Sequence, residues 1–583
     1  MARGSEIKNG EHGLEIAILV VGGIIVLWLV VSESVAILVG GHHWLPNLSS
    51  LFRALYYTIS RGSPVAGWST ADRKDLPSSS VFIVTAMAEI IVVGTGIWWL
   101  QRRGILSRNR THDKHSRAPS RHEIKHHLSV TALRERTSHL RENGKEIAWK
   151  HSTQPEHIGV YLGRETTTHQ DVWAGQDDSI LMIGPPGSGK TSGFIVPAVV
   201  EAPAACIATS TREELVTLTS GRRIANNHPA WVFAPQIEIT AHGVRPLLWS
   251  PIEGCENYLT AITRATSLVK GGAGFGSSTT NADFWEQSGI AVMRCYLMAA
   301  AVGNKSMEDI VQWSTAPSAQ TPRDILRDVA PGWGAELEQM SMGGSQLIGS
   351  IWSGVRRALD CFADPRVLAA CSQGSNFDIK EFLDTQGTAY FVGSGSAQMS
   401  IAPLVSALVE AIAEGARQSG GRGHLKEPLS LILDEAANIA PLPTLPSLLS
   451  DGGGSGIQLL VVLQSLAQGR HRWSPAEMDA MWDASTIKII LPGMSHAQDL
   501  EAISKLSGEI EEVRISKTSG TGGSSTADTP VMIPAWSPEQ IRGLETGHAL
   551  VLHRRLKPIE VITTPYWERA KRWDALVTTD GNR

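Results

Sequence analysis

A glycine-rich loop about one third of the way along the chain restricts the possible folds more than any other segment. It reads Gly184-Pro185-Pro186-Gly187-Ser188-Gly189-Lys190-Thr191 and matches the phosphate-binding pattern G-x-x-x-x-G-K-[ST] at each fixed position. The mostly apolar residues 179–183 before it are typical of a short buried strand, and residues 192–196 can begin a helix. A strand, a glycine loop and a helix start in this order form a cradle whose backbone N–H groups bind phosphate. The sequence therefore predicts a nucleotide site.

The positions of this loop have separate predicted roles in binding ATP and Mg²⁺. Lys190 places a positive charge at the β- and γ-phosphates, and the Thr191 hydroxyl is predicted to bind Mg²⁺. The other predicted nucleotide-binding residues are Gly184, Pro185, Pro186, Gly187, Ser188, Gly189 and Ser192.

A second acidic element is predicted on a neighbouring strand. The mostly apolar run 429–433 leads into Asp434 and Glu435, so both carboxylates should lie at the carboxyl end of a buried strand, where ligands of open α/β sheets bind. Asp434 is predicted to hold Mg²⁺ through its hydration shell. Glu435 is predicted to be the catalytic base that polarises the attacking water.

A third strand, Ile457 to Leu463, ends at Gln464. A glutamine at this strand end can bond the γ-phosphate or the attacking water and report hydrolysis to the rest of the domain. Gln464 is therefore predicted to be a catalytic sensor, with an ordinary surface glutamine as the alternative.

Two apolar runs near the N-terminus predict a transmembrane anchor in residues 1–100, with helices at about 14–39 and 80–100. The basic, histidine-rich segment that follows marks the cytoplasmic side, so residues 101–155 are predicted to be a juxtamembrane linker with some helix between 121 and 148. This predicts a multi-pass protein of the cytoplasmic membrane with its bulk in the cytoplasm. Glu33 and Glu89 lie in or between the runs, either paired between subunits or near a flexible helix end.

From residue 156 onward, strands alternate with helices, which favours an α/β fold with a parallel sheet covered on both faces. Strands are predicted at 158–162, 179–183, 205–209, 231–234, 388–392, 429–433, 459–463 and 486–491. Strand signals are almost absent from 257–375, which predicts an all-α insertion between the two parts of the nucleotide-binding domain, 156–256 and 376–566. Residues 517–529 are predicted to be a flexible loop by composition, and 567–583 a short tail.

Motifs and their order identify a family resemblance. Lys190 and Asp434 are about 240 residues apart, so an inserted domain separates them. With the two apolar runs, Leu-Asp-Glu-Ala-Ala-Asn (433–438) and Leu-Gln-Ser-Leu-Ala-Gln (463–468), the chain resembles the type IV secretion coupling proteins, conjugative DNA-transfer ATPases of the FtsK–HerA class. The resemblance covers about residues 1–565.

The resemblance implies a RecA-like P-loop ATPase core with an inserted all-α domain. It also implies a homo-hexamer in the membrane that recruits a relaxase bound to single-stranded DNA and feeds it to the membrane proteins of a secretion channel. Two further motifs match by position: 210–212 follows the strand after the P-loop, and 283–285 opens a long helix of the insertion.

Two questions stay open at the level of sequence. The family often has an arginine just before the glutamine strand, whereas 451–456 contains none here, which leaves Arg356, Arg357, Arg470 and Arg472 as candidates for a residue that reaches a neighbouring subunit. The cargo is also open, because the net charge of −5 identifies no partner. The alternatives to DNA transfer are a receptor for secreted effector proteins and a chromosome-segregation translocase.

Overall fold

The computed structural model describes residues 84, 117–136, 141–142, 145–146, 155–272, 282–372, 374–393, 398–421, 428–520, 523–570 and 573. Nearly all of them belong to one compact unit, Lys114–Arg583. The two predicted membrane helices and Glu33 and Glu89 lie outside the described residues. Among the helices that are described, none is both long and apolar enough to cross a membrane. The anchor therefore stays a prediction.

The strands, in chain order, are β1 (Arg141–Glu142), β2 (Lys145–Glu146), β3 (Gly159–Glu165), β4 (Asp171–Gly175), β5 (Ile180–Ile183), β6 (Cys206–Ser210), β7 (Ala230–Phe233), β8 (Val244–Pro246), β9 (Thr388–Val392), β10 (Leu429–Leu433), β11 (Ile457–Leu463), β12 (Ile487–Ile490), β13 (Glu509–Gly520), β14 (Gly523–Pro534), β15 (His548–His553) and β16 (Ile559–Ile562).

The helices are α1 (Arg121–His127), α2 (Val130–Arg136), α3 (Val196–Glu201), α4 (Glu214–Ala225), α5 (Tyr258–Gly271), α6 (Ala282–Val302), α7 (Met307–Thr315), α8 (Thr321–Val329), α9 (Pro331–Ser341), α10 (Ser345–Leu359), α11 (Pro365–Ser372), α12 (Ile379–Asp384), α13 (Gln398–Gly421), α14 (Ala436–Ile439), α15 (Leu445–Asp451), α16 (Leu466–Arg472), α17 (Pro475–Ala484), α18 (Ala497–Leu506) and α19 (Pro538–Arg542).

A mixed sheet of twelve strands organises the described residues. Its order is β4-β3-β16-β15-β12-β5-β11-β10-β6-β9-β7-β8. The strands from β12 to β8 are parallel, and β15, β16, β3 and β4 extend the sheet in antiparallel fashion. Along β5, Ile180 and Met182 enter the core on one face, whereas Leu181 and Ile183 enter the core on the other. Burial on both faces explains why the central strands are continuous apolar runs.

The prediction that the acidic strand neighbours the P-loop strand is wrong. β11 pairs with β5 on one side and with β10 on the other, so the glutamine strand lies between them. The strand types and the carboxyl edge followed from the apolar runs, but the order of parallel strands depends on crossovers that no local pattern encodes. This strand order places Gln464, which follows β11, between the glycine loop and the carboxylates of Asp434 and Glu435.

Between β8 and β9 the described residues form helices and no strand, from α5 to α12. Gly343 and Gly344 separate α9 from α10, and Gly344 is the N-cap residue of α10. Core residues of these helices, such as Met293 and Trp352, belong to the same buried cluster as Leu181 and Ile207 of the sheet. The helical block therefore packs on one face of the sheet through a continuous core. The predicted domain boundaries themselves stay a prediction.

Residues 517–520 and 523–529 do not form the loop that composition predicts. They belong to a β-hairpin whose register runs from Glu509↔Pro534 to Gly520↔Gly523. Composition misleads here because an antiparallel ladder is closed by main-chain hydrogen bonds, which need no apolar side chains. The pairing begins beside the buried Ile510 and continues through the polar residues.

The segment before the sheet is only partly helical. α1 and α2 fulfil the predicted helix up to Arg136, but the prediction is wrong for 141–146, where β1 and β2 pair. Ile124, Leu128 and Leu133 are fully buried, and the Leu128 carbonyl accepts a hydrogen bond from the Trp173 N–H. Side-chain burial thus fixes α1 and α2 to the antiparallel end of the sheet.

This contact should make the protein sensitive to acid. His553 of β15 lies 6.0 Å, ring to ring, from His127 of α1, and burial together with the positive charges of His127, Arg136 and Arg555 lowers its pKa to about 4. An unfolded histidine titrates near 6.5, so between pH 6.5 and 4 the unfolded state binds more protons and stability falls as the pH falls. The free energy of unfolding of the unchanged protein should fall between pH 7 and 4.5. In His553→Gln, which lacks this imidazole, we expect the fall to be smaller by about 1–2 kcal/mol.

Urea unfolding at the two pH values measures this difference. The exposed His471 provides the control, because His471→Gln should lose as much stability in acid as the unchanged protein. Equal acid sensitivity of all three proteins would exclude His553 as the cause.

Candidate nucleotide-binding site

The glycine loop follows β5 at the carboxyl edge of the sheet. Gly187 and Gly189 have φ angles of +80° and +85°, in the left-handed region that glycine adopts at little cost. At Gly184, an added Cβ would lie 2.6 Å from Leu491 Cδ1, which leaves no room for a side chain. Thr191–Ile195 then forms a wide helical turn that continues into α3. The glycines of the motif are thus required by the backbone path.

Two buried oxygen atoms at this edge are available to a ligand. Ser188 Oγ and Asp434 Oδ1 have no hydrogen-bond partner within the described residues, and each residue is 5 % exposed. A buried polar atom without a partner is uncommon in folded proteins and often marks a site that a ligand completes. A hydroxyl suits a phosphate oxygen and a carboxylate suits hydrated Mg²⁺, so these residues fit a magnesium–nucleotide complex.

The Asp434 carboxyl group is strongly perturbed. Burial raises its pKa to about 6, the positive charge of Lys190 opposes the rise, and the negative charge of Glu435 adds to it. A divalent cation beside the carboxyl group would favour its ionised form. The Asp434 main chain is held in place by Thr209 of β6, whose Oγ1 donates to the Asp434 carbonyl at 2.6 Å.

Lys190 and Glu435 form a buried ion pair across the sheet edge. Lys190 Nζ lies 3.1 Å from Glu435 Oε1 and 3.4 Å from the Gly184 carbonyl oxygen. The two side chains are 10 % and 7 % exposed. The pair therefore joins the glycine loop to the end of β10, two strands away.

Glu435 has an unusual backbone conformation. Its φ and ψ are +54° and +40°, the left-handed region, which costs a non-glycine residue about 1–3 kcal/mol. Its carbonyl oxygen accepts from the N–H groups of Asn438 and Ile439, which opens α14. A sharp turn directly after β10 brings its carboxylate within hydrogen-bond reach of Lys190 and of Gln464.

A network of amides orients the Glu435 carboxylate. Gln464 Nε2 donates to both carboxylate oxygens, at 2.8 and 2.7 Å, and Asn438 Nδ2 donates to Oε2 at 3.1 Å. Gln468 Nε2 donates to Asn438 Oδ1, and Gln468 Oε1 accepts from the Gln464 N–H. Sequence reasoning assigned no role to Asn438 and Gln468. Their spacing, three residues after Glu435 and four after Gln464, is the signal that could have identified them.

The remaining predicted residues border the site. Thr191 is exposed at the first helical turn, and Ser192 Oγ donates to the Gly189 carbonyl at 3.2 Å. Pro186 is exposed, whereas Pro185 faces Gly493. Glu435 contacts both Lys190 and Gln464, and the roles predicted for the three residues stay predictions.

The predicted arginines divide into two groups. Arg470 pairs with Asp499 at 2.7 Å, and Arg472 donates to the carbonyl of Gly271, the last residue of α5, and to that of Gly272 just after it, at 2.6 and 2.8 Å. Arg356 and Arg357 are exposed. Arg212, at the predicted 210–212 motif, is exposed beside the end of β6. Its positive charge opposes the rise that burial causes in the pKa of Asp434. Asp283, Phe284 and Trp285 lie in the first turn of α6, as predicted.

The chain is similar to curated proteins of conjugation. Two proteins named conjugal transfer protein TraG, from Escherichia coli, are each 24% identical, over 360 and 361 residues. The matches cover 54% and 56% of this chain and 53% and 54% of the relatives. The chain thus spans about half the length of the curated relatives that it matches.

Solved structures share the fold. An unbound form of the bacterial conjugative coupling protein TrwBdeltaN70 has a TM-score of 0.53 at 18% identity, covering 69% of this chain and 88% of that one. The plasmid coupling protein TrwB in complex with ADP and Mg²⁺ has a TM-score of 0.50 at 18% identity, covering 67% and 87%. This likeness confirms the predicted α/β fold of the core.

The family assignment rests on the sequence as a whole. A family model described as type IV secretory system conjugative DNA transfer matches residues 132–579, which include the loop, Asp434, Glu435 and Gln464. The chain belongs to this family of conjugative DNA-transfer proteins.

Proposed function

We propose that the protein is a membrane-anchored ATPase that couples a relaxase–DNA substrate to a type IV secretion channel and drives DNA transfer by ATP hydrolysis. The observation that carries the proposal is the contact of Lys190, Glu435 and Gln464 beside an open glycine loop. A binding protein without catalytic activity has no need of a buried carboxylate held by three polar side chains.

The residues of the site have separate proposed roles in ATP hydrolysis. Backbone N–H groups of 187–191 and the Lys190 ammonium would bind the phosphates, while Thr191 and Asp434 would hold Mg²⁺. When bound, Mg²⁺ would neutralise charge that develops on the transferred phosphoryl group. Glu435 accepts the proton of the attacking water, and Gln464 and Asn438 keep its carboxylate oriented toward that water. The plasmid coupling protein TrwB, which shares the fold, has been solved in complex with ADP and Mg²⁺, and this supports the choice of ligands.

The proposal extends to the protein's oligomeric state, its partners and its place in the cell. Family membership supports DNA, relaxase and channel proteins as partners and a homo-hexamer as the active form. The apolar runs near the N-terminus and the basic segment after them support anchoring in the cytoplasmic membrane with the ATPase in the cytoplasm.

ATP hydrolysis by the full chain in detergent, with and without DNA, tests the function. We expect single-stranded DNA to stimulate hydrolysis several-fold, and the stimulation to decline as salt rises from 50 to 200 mM, because phosphate contacts release counterions. Hydrolysis that neither single- nor double-stranded DNA changes would instead support a receptor for effector proteins. Stimulation that does not respond to salt would exclude an electrostatic DNA contact.

A further inference from the structure

A large cleft lies away from the nucleotide site. Its volume is about 780 Å³, within the range that small ligands and peptide side chains occupy. α12 leads into β9 and the end of α13 leads toward β10, so the cleft opens at the amino edge of these strands. The glycine loop lies at the opposite, carboxyl edge. None of the roles proposed above uses this cleft.

A buried arginine faces the cleft with unused donors. Arg264 of α5 is 6 % exposed, and its guanidinium carbon lies 4.5 Å from the centroid of the Trp249 ring. Within the described part of the chain, the guanidinium donates one hydrogen bond, from Nη1 to the Pro251 carbonyl at 3.1 Å. Nearby Glu410 is engaged elsewhere, because its carboxylate accepts from Ser267 and Thr444.

The donors of this arginine suit an anion. A guanidinium has five N–H donors, so those of Arg264 that make no hydrogen bond within the described residues can serve a ligand in the cleft. Burial lowers the pKa of Arg264, and the negative charges of Glu253 and Glu410 oppose this effect. A carboxylate or another oxyanion in the cleft could accept two parallel hydrogen bonds from the fork.

The rest of the cleft selects among anions. Its floor is apolar, formed by Trp249, Phe377 and Leu383, each less than one tenth exposed. Its rim carries three carboxylates and one ammonium group, from Glu253, Asp378, Asp384 and Lys380. A polyanion such as DNA, or a doubly charged phosphate, would be repelled by the carboxylates. A single carboxylate next to an apolar side chain fits both the guanidinium and the floor.

We propose that this cleft binds a peptide segment through one carboxylate, held by Arg264, and one apolar side chain, placed on Trp249 and Phe377. The occupant is thus part of a protein partner, recognised at the junction of the helical block and the sheet. The contact does not depend on the nucleotide site, and its test does not require ATP hydrolysis.

Titration calorimetry with the full chain in detergent tests the proposal. The probe is acetyl-Gly-Gly-Leu with a free carboxylate, compared with the same peptide as its amide. We expect the free acid to bind with a dissociation constant on the order of 1 mM and the amide to bind about tenfold more weakly or not at all. Inorganic phosphate at the same concentration should not displace the peptide.

Variants locate the contact. Arg264→Gln should weaken binding of the free acid about tenfold. Since Arg264 is buried and its loss could disturb folding, two exposed rim variants provide an independent test: Lys380→Glu should weaken binding, and Asp384→Asn should strengthen it. Structural damage would not produce these opposite signs. Lys505→Glu, on the exposed side of α18, should leave the affinity unchanged.

Four results would overturn the proposal. They are no binding of the free acid at about 10 mM, equal affinity for acid and amide, displacement by phosphate, and rim variants that do not change the affinity. Displacement by phosphate would identify the cleft as an oxyanion site of a different kind.

Discussion

Lys190→Ala is expected to lower the rate of ATP hydrolysis by on the order of 10²–10³-fold. Lys190 Nζ is held at the loop by the Gly184 carbonyl and by Glu435, and the residue is 8 % exposed. No other positively charged side chain can therefore occupy its position unless the loop rearranges. Removing the ammonium takes away a positive charge from the position where negative charge develops in the transition state. The rate of phosphate release under saturating ATP measures the effect.

The loss should be specific to this lysine. Lys505→Ala removes an exposed lysine of α18 and should hydrolyse ATP at the unchanged rate. Thermal unfolding of Lys190→Ala should show a folded protein, because Gln464 and Asn438 still donate to the Glu435 carboxylate. A folded Lys190→Ala protein that retains more than a tenth of the rate would refute the role given to this loop.

The sequence predicts where the candidate site residues lie because these positions depend on short, local patterns. A glycine loop between a strand and a helix requires positive φ angles at Gly187 and Gly189, and both are present. The carboxylates and Gln464 follow apolar runs, so their position at the carboxyl edge follows from strand direction alone. Direct contact between Lys190, Glu435 and Gln464 is the consequence.

What the sequence does not predict depends on distant parts of the chain. The position of β11 between β5 and β10 is a property of the crossovers, and it brings Gln464 within hydrogen-bond distance of Glu435. The antiparallel extension by β15, β16, β3 and β4 joins segments almost 400 residues apart in the chain. The left-handed backbone of Glu435 is a strained conformation that glutamate does not favour by itself, and only the surrounding contacts select it.

The ion pair has a consequence for the order of events. Because Lys190 Nζ lies 3.1 Å from Glu435 Oε1, we expect phosphates that bind to the loop to compete with this carboxylate for the lysine. Nucleotide binding would then free one oxygen of Glu435, while Gln464 and Asn438 continue to hold the side chain. The proposed catalytic base would thus be released when its substrate is bound.

Glu435→Gln separates binding from hydrolysis. The substitution keeps the shape of the side chain but removes its charge, so it cannot accept a proton, and we expect hydrolysis to fall by about 10²–10⁴-fold. We also expect ATP to bind at least as tightly as before, because Lys190 no longer has to leave a buried ionic partner. Equilibrium binding of a fluorescent ATP analogue and single-turnover hydrolysis measure the two effects.

Glu414→Gln is the matched control, because Glu414 is a half-exposed carboxylate of α13 whose contact with Arg417, at 3.9 Å, is long. It should change neither quantity. Weaker ATP binding by Glu435→Gln would contradict the competition between phosphate and carboxylate for Lys190. Hydrolysis at the unchanged rate would show that another group activates the water. If Lys190 and Glu435 have the proposed roles, Glu435→Gln must bind ATP tightly and must not hydrolyse it.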